Sequence, residues 1–197
     1  MTASFICISA AFGAASYSNT AIINGMPIML NLPLALIGGV VFRPFHDPAK
    51  WDEVWDASVR TCRSLVSHGA KHLVLIDSIS PRRAPTAGRA DEAEQMDPAE
   101  WAAFRDRIAQ VAKLGAEEYG LTVGIHAHAA GFIDFEPELE RLLSEVDESI
   151  LKICFDTGHH SYAGFDPVAF MRRHIGRISY MHFKDIDPVV KADAIAK

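Results

Sequence analysis

From residue 43 onward the apolar positions follow two alternating periods. Trp51, Val54, Trp55, Val59, Cys62, Leu65 and Val66 recur every three or four residues, as do Trp101, Phe104, Ile108 and Val111. That spacing lines each set along one face of a helix, and residues 137–146 repeat it. Between these stretches lie short continuous apolar runs at residues 73–76, 121–125, 151–155 and 178–181, with an earlier one over 36–42. Such runs are too short for helices and predict strands. Leu73-Val74-Leu75-Ile76 has no polar position, as expected of a strand covered on both faces.

The punctuation agrees with the periods. Asp47-Pro48-Ala49-Lys50-Trp51, Asp97-Pro98-Ala99-Glu100-Trp101 and Asp166-Pro167-Val168-Ala169-Phe170 repeat one helix-start pattern. Asp accepts orphan backbone N–H groups at the N-cap, Pro needs no donor at the first helical position, and Glu100 adds a capping-box partner. Glycines 69, 120 and 176 stand where the helices should stop. Helix, short loop and strand then alternate without an adjacent hairpin pair, which predicts right-handed βαβ crossovers and a parallel sheet. The class is α/β, with about five βα units. Residues 78–96 form a long connection, expected to lie over a site.

Composition narrows the options. A chain of 197 residues that is 49% apolar can bury a core. The net charge is −6, and the basic residues form no stripe, so nucleic acid is not an expected partner. Three cysteines, Cys7, Cys62 and Cys154, cannot all pair and lack ligand spacing, which favours a reducing cytoplasm. The first charged side chain is Arg43. The apolar stretch before it is broken by Asn19, Asn24, Pro27, Asn31 and Pro33, so neither a signal sequence nor a spanning helix fits, and no membrane is expected. Residues 1–35 are read as an irregular apolar segment, 36–190 as the α/β domain, and 191–197 as a tail.

Ligands of parallel α/β folds gather at the carboxyl ends of the strands. Those positions hold Arg43, Asp77, His126 with His128, Asp156, and His182 with Lys184 and Asp185. A carboxylate directly after a buried strand needs a cation or several donors, so Asp156 is either a metal ligand or a cap for its own loop. His182 follows Ile178 and Tyr180 at period two and points with them, as a ligand or as a core histidine. A mixed N/O set of His126, Asp156 and His182 suits Mn, Co, Fe or Zn more than Ca. Lys184 can hold a substrate oxygen or pair with Asp185 or Asp187. One of His159 and His160 is expected to contact substrate and the other to be solvated.

The run Phe155-Asp156-Thr157-Gly158-His159, followed by Tyr180-Met181-His182-Phe183-Lys184-Asp185, resembles the xylose isomerase-like TIM barrel superfamily. With His126-Ala127-His128 and Asp187-Pro188 added, the pattern looks most like its inosose dehydratase branch. The resemblance implies a partial (β/α)8 barrel and a divalent metal ion, Mn, Co, Mg or Zn, held by Asp156 and His182, with His126 where the family usually has glutamate. It implies substrate contacts from His159 and Lys184, to which Arg43, Asp77 and His128 are added by position. The implied chemistry is dehydration or isomerisation and epimerisation of a sugar or inositol-derived ketone through an enediolate, with His126, His128 or His159 as acid or base and Lys184 beside the metal. A complete barrel takes about 250 residues. The expectation is therefore a barrel short at both ends and lacking the fourth ligand, either part of an enzyme, possible as a homo-oligomer, or a non-catalytic remnant.

Overall fold

The computed structural model describes residues 19–23, 26–30 and 38–196. Strands β1 (Asn19–Ile23) and β2 (Met26–Leu30) pair antiparallel, so part of the segment expected to be irregular is a two-stranded ribbon. The remaining residues up to 37, Cys7 among them, lie outside the described residues.

The body of the chain is a five-stranded parallel sheet in the order β3 (Gly38–Arg43), β4 (His72–Asp77), β5 (Thr122–Ile125), β6 (Lys152–Asp156) and β7 (Ile178–His182). Its helices are α1 (Trp51–Ser67), α2 (Pro98–Lys113), α3 (Glu136–Glu145), α4 (Thr157–Tyr162), α5 (Pro167–His174) and α6 (Pro188–Ile195). Strand order equals chain order, as successive right-handed βαβ units require. The expected α/β class and partial barrel are observed.

All three Asp-Pro starts cap helices. Asp47 accepts the Ala49 N–H and opens a 3₁₀ turn that runs into α1; Asp97 and Glu100 form the full capping box of α2; Asp166 caps α5. A fourth, Asp187-Pro188, caps α6, a helix over residues 188–195 that runs into the stretch 191–197 expected as a tail. The helix stops divide. Gly69 and Gly120 take positive φ of 74° and 63°, whereas Gly176 does not, and α5 ends without a left-handed residue.

Strand alternation builds two cores. Val41, Leu73, Leu75, Val123, Ile125, Ile153 and Phe155 face the helices and join Val54, Leu65, Phe104 and Ile108. Val74, Ile76, Cys154 and Tyr180 pack together on the other, inner face. Each buried Leu, Ile or Val contributes about 1.5–3 kcal/mol, so the helix side dominates stability. The inner face is left as the shallow lining of an open barrel, with Val40 and Phe42 exposed. No helix of the described residues is long and apolar enough to cross a membrane.

Candidate metal centre

Register brings the chemistry together. β6 and β7 pair so that Asp156 lies opposite His182, while His126 leaves the end of the neighbouring strand β5. Asp156 is 4% exposed and His126 is 2% exposed. Asp156 Oδ2 lies 3.2 Å from His126 Nε2, 3.3 Å from His182 Nδ1 and 2.6 Å from Lys184 Nζ. Its Oδ1 accepts the His159 N–H at 2.9 Å and so caps α4. The expected loop cap is thus made through the His159 amide, while Oδ2 faces the side chains of His126, His182 and Lys184.

Lys184 pairs with Asp156 rather than with Asp185 or Asp187. It is held there by its backbone: the Lys184 N–H donates to Thr157 Oγ1 at 2.8 Å, and that hydroxyl donates to the Lys184 carbonyl at 2.6 Å. Gly158 makes the approach possible, because a Cβ there would sit 2.6 Å from Lys184 Cβ.

Burial alone would raise the Asp156 carboxyl, but hydrogen bonds from His126, His182, Lys184 and the His159 backbone outweigh it and hold it well below the usual carboxylate range. Burial pushes His126 and His128 down, and takes His159 to about 3, with His128 adding to the effect. Neutral imidazoles are the form that binds a cation or accepts a proton. The His128 and His159 rings lie 4.3 Å apart between centroids, tilted by 40°, and His126 lies 5.3 Å from His159 and 5.0 Å from His182. The imidazoles of His126 and His182 thus engage the Asp156 carboxylate, with those of His159 and His128 beside them.

The group fits a divalent cation. One nitrogen each of His126 and His159 and one oxygen of Asp156 all lie within 4.8 Å of one another, and His126 Nδ1 is buried without a partner among the described residues. The donor set is mixed N/O.

Two expected residues are not brought here. Arg43 lies on the same side of β3 as Val41, toward the helices, where its Nε is 3.8 Å from Glu53 and its Nη1 donates to the Phe42 carbonyl. Asp77 shares that side with Leu73 and Leu75. It is saturated by the His46 N–H at 3.1 Å, the His46 ring at 2.8 Å and the Phe132 N–H at 2.9 Å, and so staples two loops together. His160, expected on a loop where one of the His159–His160 pair would be solvated, is buried in α4 on Phe155 and Phe170, with Nε2 3.0 Å from Glu136. Residues 78–96, expected as a long loop over the site, form the connection after β4 and contain two 3₁₀ turns, Ala84–Thr86 and Ala90–Glu92. Arg83 from this connection is buried in an ion pair with Glu138 at 2.6 Å, a partnership no spacing announced.

The sequence model of the xylose isomerase-like TIM barrel matches residues 24–194. The chain belongs to this family. It is 32% identical over 106 residues to an inosose dehydratase of Geobacillus kaustophilus, a match covering 54% of this chain and 33% of that protein. Among solved structures it is similar to the IOLI protein with a bound zinc atom, at TM-score 0.61 and 13% identity over 77% of this chain and 51% of that one. It is likewise similar to a xylose isomerase-like TIM barrel protein from Mycobacterium smegmatis in complex with magnesium, at TM-score 0.59 and 15% identity over 80% and 55% of the two chains. The chain thus spans about a third of the curated relative and half of the solved structures.

Proposed function

We propose that this chain carries the metal-site half of a divalent-metal-dependent dehydratase or isomerase acting on a polyol ketone, with an inosose as the first substrate to try. The observation that carries the reading is the convergence of His126 and His182 on the single buried oxygen of Asp156 at 3.2 and 3.3 Å. The likeness to inosose dehydratases selects the substrate class. Asp156, His182 and His126 would hold the cation. When bound, it supplies Lewis-acid polarisation of a ketone oxygen, which acidifies the neighbouring C–H.

The residues around it supply the rest. Lys184, 33% exposed, presents an ammonium to a developing oxyanion. His128 and His159 stand neutral beside it, able to take a proton from carbon or pass one to a leaving hydroxyl. A cytoplasmic setting suits the cysteines, since Cys62 is buried in α1 with its thiol pushed up to about 11 by burial and is inert.

The test is turnover of an inosose by the purified chain with Mn, Co, Zn or Mg, followed as loss of substrate ketone. Activity that chelation abolishes and Asp156→Ala lacks supports the reading. Activity indifferent to chelator overturns it. A second reading, a chain that binds metal without turnover or acts only when another copy covers its edges, has one observation behind it: among the described residues the sheet is open, with β3 and β7 as edges.

A further inference from the structure

Residues 128–135 leave the end of β5 in a tight turn. The His128 N–H donates to the Ile133 carbonyl at 2.9 Å, and the Gly131 N–H to the His128 carbonyl at 3.0 Å. Inside the turn Ala130 sits at φ 66°, and no other described non-glycine residue takes a positive φ. A side chain opposes that conformation, so the turn must be held from outside.

Two contacts hold it. The Ser80 N–H donates to the Ala130 carbonyl at 2.9 Å, and Asp134 Oδ2 accepts the Ala130 N–H at 2.9 Å. Asp134 is 3% exposed, and its Oδ1 is buried without a hydrogen-bond partner among the described residues. Burying a carboxylate to satisfy one backbone amide is a destabilising way to close a turn. Such a group calls for an explanation beyond packing.

The explanation lies one residue back. The Ala129 N–H points to His159 Nδ1 at 3.4 Å. A ring nitrogen that accepts a hydrogen bond carries no proton, so a neutral His159 then holds its proton on Nε2. In that tautomer the Nε2–H of His159 is the group it can offer to a substrate oxygen.

We propose that Asp134 is a positioning residue for His159: by fixing Ala130 in the left-handed region it aims the Ala129 N–H at His159 Nδ1 and keeps the ring proton on Nε2. This rests on the reading of His159 as a substrate contact. The charged groups that face Asp134 are Arg83, from the connection after β4, and Glu138 of α3, whose Oε2 accepts the Asp134 N–H at 3.0 Å. Burial pushes the Asp134 carboxyl up to about 6, Glu138 adds to the rise and Arg83 opposes it. Its ionisation strengthens the acceptor that Ala130 sees.

Nitrogen NMR of the labelled full chain tests this without any turnover. In the wild type, His159 should show an unprotonated Nδ1 and a protonated Nε2, and the Ala130 amide should shift with a midpoint near 6. Asp134→Ala should lose the single tautomer, and Ala130→Gly added to it should restore it, because glycine takes the turn unaided. Asp134→Asn should leave the Ala130 amide flat across that pH range. A His159 spectrum unchanged in Asp134→Ala, or a flat Ala130 amide in the wild type, overturns the proposal. Should Asp134→Ala not fold, the wild-type and Asp134→Asn titrations decide alone. The predicted tautomer in a chain that turns over no inosose upholds the positioning and removes the functional reading instead.

Discussion

Replacing Asp156 by alanine removes two separable contributions. Oδ1 caps α4 through the His159 N–H at 2.9 Å, and loss of such a cap costs about 1 kcal/mol. Oδ2 accepts from His126, which is 2% exposed, and a buried donor left unpaired costs about 1–3 kcal/mol. Lys184 is 33% exposed and regains water, so its ion pair adds little. The sum is about 2–4 kcal/mol. For a chain of this size that lowers Tm by roughly 5–15 °C. Asp156→Asn keeps the cap and one acceptor oxygen and should lose about half as much. Thermal and urea unfolding in chelator, where no cation contributes to stability, measure both variants. An Asp156→Ala variant within about 0.5 kcal/mol of the wild type, a shift typical of a surface change, would refute the claim that this carboxylate organises the strand ends.

The same reasoning reaches other positions. Arg83→Ala strands Glu138 in the interior and should cost about 3–5 kcal/mol in urea unfolding, whereas a loss under 1 kcal/mol would mean that Gln95 and the Phe135 N–H suffice. Asp134 is raised from 3.8 to about 6, so its contribution to stability is full below the unfolded value and is lost as pH rises through about 6. Asp134→Asn should therefore gain on the wild type by about 3 kcal/mol between pH 4 and 8, and parallel pH–stability curves for the two proteins would refute that. Ala130→Gly should stabilise by about 0.5–1 kcal/mol, since relief of the left-handed strain exceeds the added freedom of the unfolded chain. A lower Tm for this variant would show the turn to be unstrained.

The parts of the fold set by local chemistry were readable from the sequence. Asp-Pro starts at residues 47, 97 and 166 mark helices because capping acts within four residues, and the fourth at Asp187 carried the same signal. Apolar strands followed by ionisable residues placed Asp156, His182 and His126 at one end of the sheet, since parallel strands deliver all their carboxyl ends to one side. Direction was harder. Arg43 and Asp77 also end strands, yet alternation turns them to the helix side, and which alternate faces inward is decided by the helices that pack there. Long-range partnerships were invisible: Arg83 meets Glu138 across 55 residues, and His160 is buried because α4 folds onto Phe170. Asp134 left no sequence signal, because its partner is a backbone amide whose conformation only the turn defines.

The central claim is that three strand ends, carrying His126, Asp156 and His182, form a site for a divalent cation. Titration calorimetry of the chelator-stripped chain with Zn, Mn, Co and Mg tests it directly, repeated on Asp156→Ala and His182→Ala. The account predicts one site per chain for at least one of these ions, with loss of binding in both variants. Binding of equal strength in the wild type and both variants, or no binding of any of the four ions, would contradict it.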